Sequence, residues 1–306
     1  MSIPPIVRNV IVSISFRRLV LVLLTSVLVR SIAFGQAEAG KPTDVDNQTA
    51  AQKERTEALL KWTRKFAQDT RITVLNKDSA AAELRAEPVM RYSDQPRFIA
   101  DGTLWVWTHN ARPVAIQKVE VNDTTATPLW TVCFAALSEE LVEAKWPYGQ
   151  TFKTTKPGWT FESIPSADPP AEKSAARSLQ MRALSRRFSG SVHSSVQNSS
   201  IAMRLLPKPI FEYSDPETKL PVGAIFGLAD NGTNPSVFIV IEARPNKDGT
   251  LAWHQAHSRM TADTGKVTFD EATIWEFKPV NVPNDPTTNF DNWMYYFMRR
   301  NLTTLR

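Results

Sequence analysis

Glu87-Pro-Val-Met-Arg-Tyr-Ser-Asp94 is written a second time, with changes, as Lys208-Pro-Ile-Phe-Glu-Tyr-Ser-Asp215. Pro88 and Pro209, Tyr92 and Tyr213, Ser93 and Ser214, and Asp94 and Asp215 all stand 121 positions apart. Upstream, Leu59, Trp62 and Phe66 fall at i, i+3 and i+7, one face of a helix. The same face returns 122 positions later as Met181, Leu184 and Phe188. Downstream, Asp101-Gly102 is matched by Val222-Gly223, Pro113 by Pro235 and Trp130 by Trp253. Trp159 and Phe161 are answered by Trp275 and Phe277 at the shorter offset of 116. That shortfall assigns to the first copy alone an excursion at residues 138–144, read as one helical turn.

Each copy therefore opens with an amphipathic helix and continues as strands. Thr103-Leu-Trp-Val-Trp107 and Val114-Ala-Ile-Gln-Lys-Val-Glu-Val121, joined by a turn, read as an antiparallel hairpin. Ala224-Ile-Phe-Gly-Leu228 and Val237-Phe-Ile-Val-Ile-Glu242 fill the same places in the second copy. The first return strand alternates apolar and polar residues, which predicts one solvated face. The second is continuously apolar, which predicts burial on both faces. Gly158-Trp-Thr-Phe161 reads as the strand that closes the first unit, and Pro169-Pro170 as the boundary after it.

The expected fold class is α+β: a tandem duplication of a unit with one helix and an antiparallel sheet of about five strands. The two copies pack together, the second more centrally, because a single helix and sheet bury only one face of each. The expected organisation is a secretory signal peptide at 1–35, a flexible linker at 36–54, the first repeat at 55–168 and the second at 169–280. A C-terminal amphipathic helix follows at 281–306. Phe290, Trp293, Met294, Phe297 and Met298 carry that helix at i, i+3, i+4, i+7 and i+8, with Asn289 as N-cap and Arg299-Arg300 at its negative end. It either covers a sheet or offers Phe290, Trp293 and Phe297 to a partner or membrane surface; for so short a segment an extended aromatic strand is the third reading.

The signal rests on Arg8, Arg17 and Arg18 before an uncharged apolar run at 19–29, then Ala33-Phe34-Gly35 as a cleavage site. The run is shorter than the ~20 residues that span a bilayer, so cleavage leaves no stable transmembrane span. The protein is expected to be secreted or periplasmic. The whole chain has a formal net charge of +5, but residues 1–35 hold four Arg and no acid, so the remainder is +1. That balance excludes nucleic acid as a partner, which needs a basic surface on the folded domain. Cys133 is the single cysteine and reads as a small buried hydrophobe.

Chemistry-bearing patterns are sparse. His254 and His257 form an HxxH, but on a strand three positions apart means opposite faces, and zinc needs further ligands. The chain has no nucleophile elbow, no Gly-x-Gly-x-x-Gly and no P-loop. Glu139-Glu140 and Asp270-Glu271 are adjacent pairs and do not converge on one site. No catalytic residue, metal or cofactor is assigned. Tyr-Ser-Asp reads as a strand-ending Tyr whose ring packs, followed by a turn. Ligand-site candidates are instead the places where the copies differ: His109 and Arg112 in the first hairpin turn, Asp230 and Asn234 in the second.

With the repeated Tyr-Ser-Asp, Asp101-Gly-Thr-Leu-Trp-Val-Trp107 and Gln180-Met-Arg-Ala-Leu184 in view, the chain resembles a family of secreted proteins of planctomycete-type bacteria, over roughly residues 57–279. The resemblance implies export and paralogous expansion; it brings no activity, cofactor or catalytic residue. The expected function is a non-enzymatic module binding an extracellular or envelope ligand at the junction of the copies or on their sheet faces. The alternatives are a hydrolase acting on an extracellular polymer or ester, and a structural envelope component.

Overall fold

The computed structural model describes residues 49–76, 78–122, 128–194, 198–214, 222–280 and 291–299. The expected signal peptide, linker residues 36–48, Asp215, Phe290 and Arg300 lie outside them. Residues Gln48–Arg306 belong to one compact unit.

Helix α1 (Ala50–Asp69) starts at Thr49, whose side chain accepts from the Gln52 backbone while Gln52 reaches back to the Thr49 N–H. This capping box draws residues 50–54 into the helix and out of the expected linker. Leu59, Trp62 and Phe66 are buried, as their spacing predicts. Then come β1 (Arg71–Val74), β2 (Ala80–Ala81), β3 (Glu83–Leu84), β4 (Met90–Asp94) and a 3-10 turn at Gln95–Arg97. A long meander follows, β5 (Ile99–His109), β6 (Arg112–Asn122) and β7 (Leu129–Ala136), then β8 (Val142–Lys145), β9 (Thr151–Lys153) and β10 (Glu162–Ser163). The second half runs α2 (Ser174–Ser185), β11 (Phe188–Ser194), β12 (Ser199–Leu205), β13 (Phe211–Ser214), β14 (Val222–Ala229), β15 (Val237–Pro245) and β16 (Leu251–Arg259). It ends with β17 (Thr264–Phe269), β18 (Ala272–Phe277) and β19 (Trp293–Arg299). Phe188, expected on the helix face, instead opens β11, because α2 stops at Ser185.

Among the described residues there are two helices, and the strands pair antiparallel throughout. The fold is thus α+β and mostly sheet. The halves share one pairing pattern. In the first, β1 lies between β2 and β8 with β9 outside, and β5-β6-β7 form a meander with β3 and β4 on β5. In the second, β11 lies between β12 and β17 with β18 outside, and β14-β15-β16 form the meander with β12 and β13 on β14. They differ at one joint. The chain breaks at Ala82 into β2 and β3 and leaves sheets of four and six strands, whereas unbroken β12 joins the second half into a single sheet of nine.

The segments after each half cross over. β10 follows the first half yet pairs with β16 of the second, and β19 follows the second yet pairs with β7 of the first. Val132 and Gln255 hold the same register, opposite Val119 and Ile241. Their outer neighbours are Tyr296 and, on β10, Glu162, so Trp293 and Tyr295 are the counterparts of Trp159 and Phe161. This corrects three expectations. The Gly158–Phe161 stretch leads into a strand that closes the other unit, not its own. The offset of 116 came from matching it with β18, whose counterpart is β9. The excursion after Leu137 has a counterpart after Met260, and it leads into β8 rather than a helical turn.

The C-terminal helix is also corrected: Trp293–Arg299 is a strand. Its aromatic residues suit a pleated surface, and β7 offers it an unpaired edge. On a strand the expected stripe splits between two faces. Met294 and Tyr296 enter the core of the first half, while Trp293, 1% exposed, enters the core between the halves. Trp293 is therefore not an exposed partner contact.

Three apolar clusters result. One backs β5-β6-β7 with α1 and the β1-β8-β9 layer, one lies between α2 and its own sheet, and the third fills the space between the two meanders with Leu104, Val106, Ile116, Ile225, Phe238 and Val240. β6 consequently has no solvated face. Gln117, Lys118 and Glu120 are all buried: Lys118 and Glu120 face the second half rather than water, while Gln117, on the other face, accepts from Trp146 Nε1 at 2.6 Å in the core of the first half.

Candidate functional site at the junction of the two halves

The repeated tyrosines explain the repeated glycines. A Cβ on Gly102 would stand 2.5 Å from Tyr92 Cε2, and one on Gly223 would stand 2.5 Å from Tyr213 Oη. Each ring lies across a strand where only hydrogen leaves room. Each hydroxyl then donates to a buried carboxylate on the next strand. Tyr92 Oη meets Glu120 Oε1 at 2.6 Å, and Tyr213 Oη meets Glu242 Oε2 at 2.6 Å. Burial first, and the carboxylate second, push both phenols well above their usual range. Glu120 and Glu242 are 122 positions apart.

The hairpin tip of each half reaches over the tyrosine–carboxylate pair of the other, with opposite results. Around Glu242 the space is full. Arg112, from the first hairpin tip, donates to Oε1 at 2.9 Å and Oε2 at 3.1 Å, and Arg244 donates to Oε1 at 3.1 Å. Glu139 accepts from Arg244 at 2.9 and 3.0 Å and from Arg112 at 3.3 Å. Phe161 lies beneath, 4.1 Å from the Arg244 guanidinium carbon and 5.8 Å from that of Arg112. Burial works against the Glu139 charge, but the two guanidiniums hold its carboxyl below the usual range.

Around Glu120 the space is open. A cavity of about 480 Å³ is bounded by β6 and β7 (Lys118, Glu120, Asn122, Thr131, Cys133), by β19 (Trp293, Tyr295, Phe297) and by residues 260–263 of the second half. Arg259 fixes that last wall. Its guanidinium donates to the backbone carbonyls of Thr261 (2.9 Å), Lys278 (2.7 Å) and Asp263 (2.9 Å) while lying over the rings of Phe277 and Trp293. Behind the cavity, Asp94 accepts from Arg97 at 2.8 Å, Asn231 at 2.5 Å and Asn234 at 2.9 Å. Arg97 also pairs with Asp230, which accepts from Ser236 at 2.6 Å. Burial opposes ionisation of Asp94, yet Arg97 and the two Asn hold its carboxyl below the ordinary range.

Lys118 is 2% exposed and donates to Asn234 Oδ1 and the Pro235 carbonyl, both at 2.5 Å. Burial lowers its pKa, with Glu120 opposing. Burial raises the Cys133 thiol and pushes Tyr295 up to about 12.

The four sequence candidates separate. Asp230 and Asn234 join the network behind the open cavity, Arg112 belongs to the filled site, and the half-buried His109 is hydrogen-bonded to its neighbour Asn110 at 3.2 Å. Arg97, Lys118, Glu120, Asn122 and Tyr295 were missed. One signal for them existed: Glu120 and Glu242 repeat in step with the tyrosines. Among the described residues no group of three or more His, Cys, Asp or Glu is placed to hold a metal, and no helix is long and apolar enough to cross a membrane. His254 and His257 do lie on a strand, β16. Compared with known protein families, curated proteins and solved structures, the chain finds no match in any of the three.

Proposed function

We propose that this chain is an exported, non-enzymatic binding module, built by duplication of one α+β unit, whose ligand site is the cavity beside Glu120. The observation that carries the reading is that both halves and the crossing strand β19 together enclose about 480 Å³. That volume lies in the range of small-molecule sites, roughly 300–1,000 Å³. Glu120 supports it further: among the described residues it has one side-chain donor, Tyr92, where buried carboxylates are ordinarily well partnered. Duplication is supported by the shared pairing pattern, and export by the residue pattern at 1–35.

Binding is favoured over hydrolysis by the chemistry of the wall. Among the described residues none lining the cavity is a histidine, and Cys133 is held as the thiol by burial, whereas a nucleophilic Cys needs a lowered pKa and a base. Trp293 reports on the site. Titration of the purified protein with panels of small extracellular metabolites should find a compound that changes tryptophan emission saturably and raises the unfolding temperature. Turnover of generic esters or glycosides, with Glu120→Gln inactive, would replace this reading with the hydrolase.

A further inference from the structure

The filled site serves as an internal template for the open one. In β6 and β15, positions 122 apart superpose by register. Arg112 therefore corresponds to Asn234, and Arg244 to Asn122. The shared hydrogen bonds Leu137 N to Val114 O and Met260 N to Ser236 O make Glu139 the counterpart of Ala262. Every one of these three exchanges shortens a side chain, and Asn122, Asn234 and Ala262 all line the cavity. What the two sites keep in common is the carboxylate, its tyrosine donor, and an aromatic ring on the crossing segment, Phe161 or Tyr295. The open cavity is thus the volume that two guanidiniums and their counter-carboxylate occupy in the sister site.

Resting on the binding reading above, we propose that the cavity takes a guanidinium-bearing cation, its planar group held by Glu120 and stacked on Tyr295 as Arg244 is held by Glu242 and stacked on Phe161. Four further observations agree. Among the described residues Glu242 accepts from three side chains, but Glu120 from Tyr92 alone. The neighbouring Lys118 does not take the cation's place, because its ammonium is hydrogen-bonded to Asn234 and Pro235. Arg97 is taken up by Asp94 and Asp230, and Arg259 by backbone carbonyls and two aromatic rings, so neither guanidinium is offered to an anion in the cavity. A guanidinium is also the cation best matched to a carboxylate plane and an aromatic face together.

The test uses agmatine as the guanidinium probe, with glucose and propionate as neutral and anionic controls, followed by calorimetry and tryptophan emission. Agmatine should bind saturably. Affinity should fall by at least about 10-fold in Glu120→Gln, which removes a charge-assisted pairing. Asn122→Arg restores the counterpart of Arg244; it should abolish binding while keeping the unfolding temperature at or above that of the parent. Failure of agmatine to bind, or binding that neither variant alters, would overturn the proposal. Saturable binding of glucose or propionate, lost in Asn122→Arg, would also overturn it while leaving the cavity as a ligand site. Silence of all three probes, with the emission of Asn122→Arg unchanged from the parent, would remove both readings.

Discussion

Gly102 and Gly223 show at the level of single residues how the repeat is held. An added methyl at either position must push a buried tyrosine off its strand, and the ring cannot yield without lengthening its 2.6 Å bond to Glu120 or Glu242. Gly102→Ala and Gly223→Ala are each expected to cost ~1–3 kcal/mol, the usual range for overpacking, read from urea unfolding midpoints. If the cost runs through the tyrosine hydroxyl, Gly102→Ala combined with Tyr92→Phe should destabilise less than the two changes added together. Strict additivity would place the strain elsewhere. The tyrosines and glycines were legible because each is fixed by contacts within one half. Lys118 and Glu120 were not. Polar alternation looks the same on a strand facing water and on one facing a polar cluster of another element, and only the second half decides between them.

The tail illustrates the same limit for an element. Phe290, Trp293, Met294, Phe297 and Met298 satisfy a helical period, but a seven-residue aromatic run satisfies a strand equally well, and local pattern does not arbitrate. What decides is the edge of β7, which the chain reaches only after traversing the second half. The face of the first helix and the hairpin positions were readable, since their signals are local. The matching of Trp159 to Trp275 failed for the reason that misplaced the tail: both crossing segments pair with the half they do not follow. β19 buries Trp293, Met294 and Tyr296, and each large side chain is worth about 1.5–3 kcal/mol, against a typical total of ~5–15. A chain ending at Asp291 should therefore lose its cooperative urea transition and scatter light, because β7 becomes a bare edge. A soluble, cooperatively folding truncation would show that β19 only decorates the sheet.

At the level of the molecule, the crossing strands and the shared inter-sheet cluster make the halves interdependent although the sequence repeats. β10 belongs by sequence to the first half and by pairing to the second, and β19 the reverse, so neither half completes its own sheet. Arg112–Glu242, Arg97–Asp230 and Lys118–Asn234 tie the hairpin tips across the junction. Cutting the connection between the halves should therefore not release them. A protease site placed in residues 169–172, between β10 and α2, leaves every one of these pairings in place. After cleavage the two fragments should co-elute as one species under native conditions and separate only in denaturant. Before cleavage, circular dichroism and tryptophan emission should report one coincident unfolding transition. Two transitions, or fragments that part on a native column, would show halves that fold independently and touch only weakly. The cavity at their junction would then vary with their separation, and the match between its two sites would lose its meaning as a template.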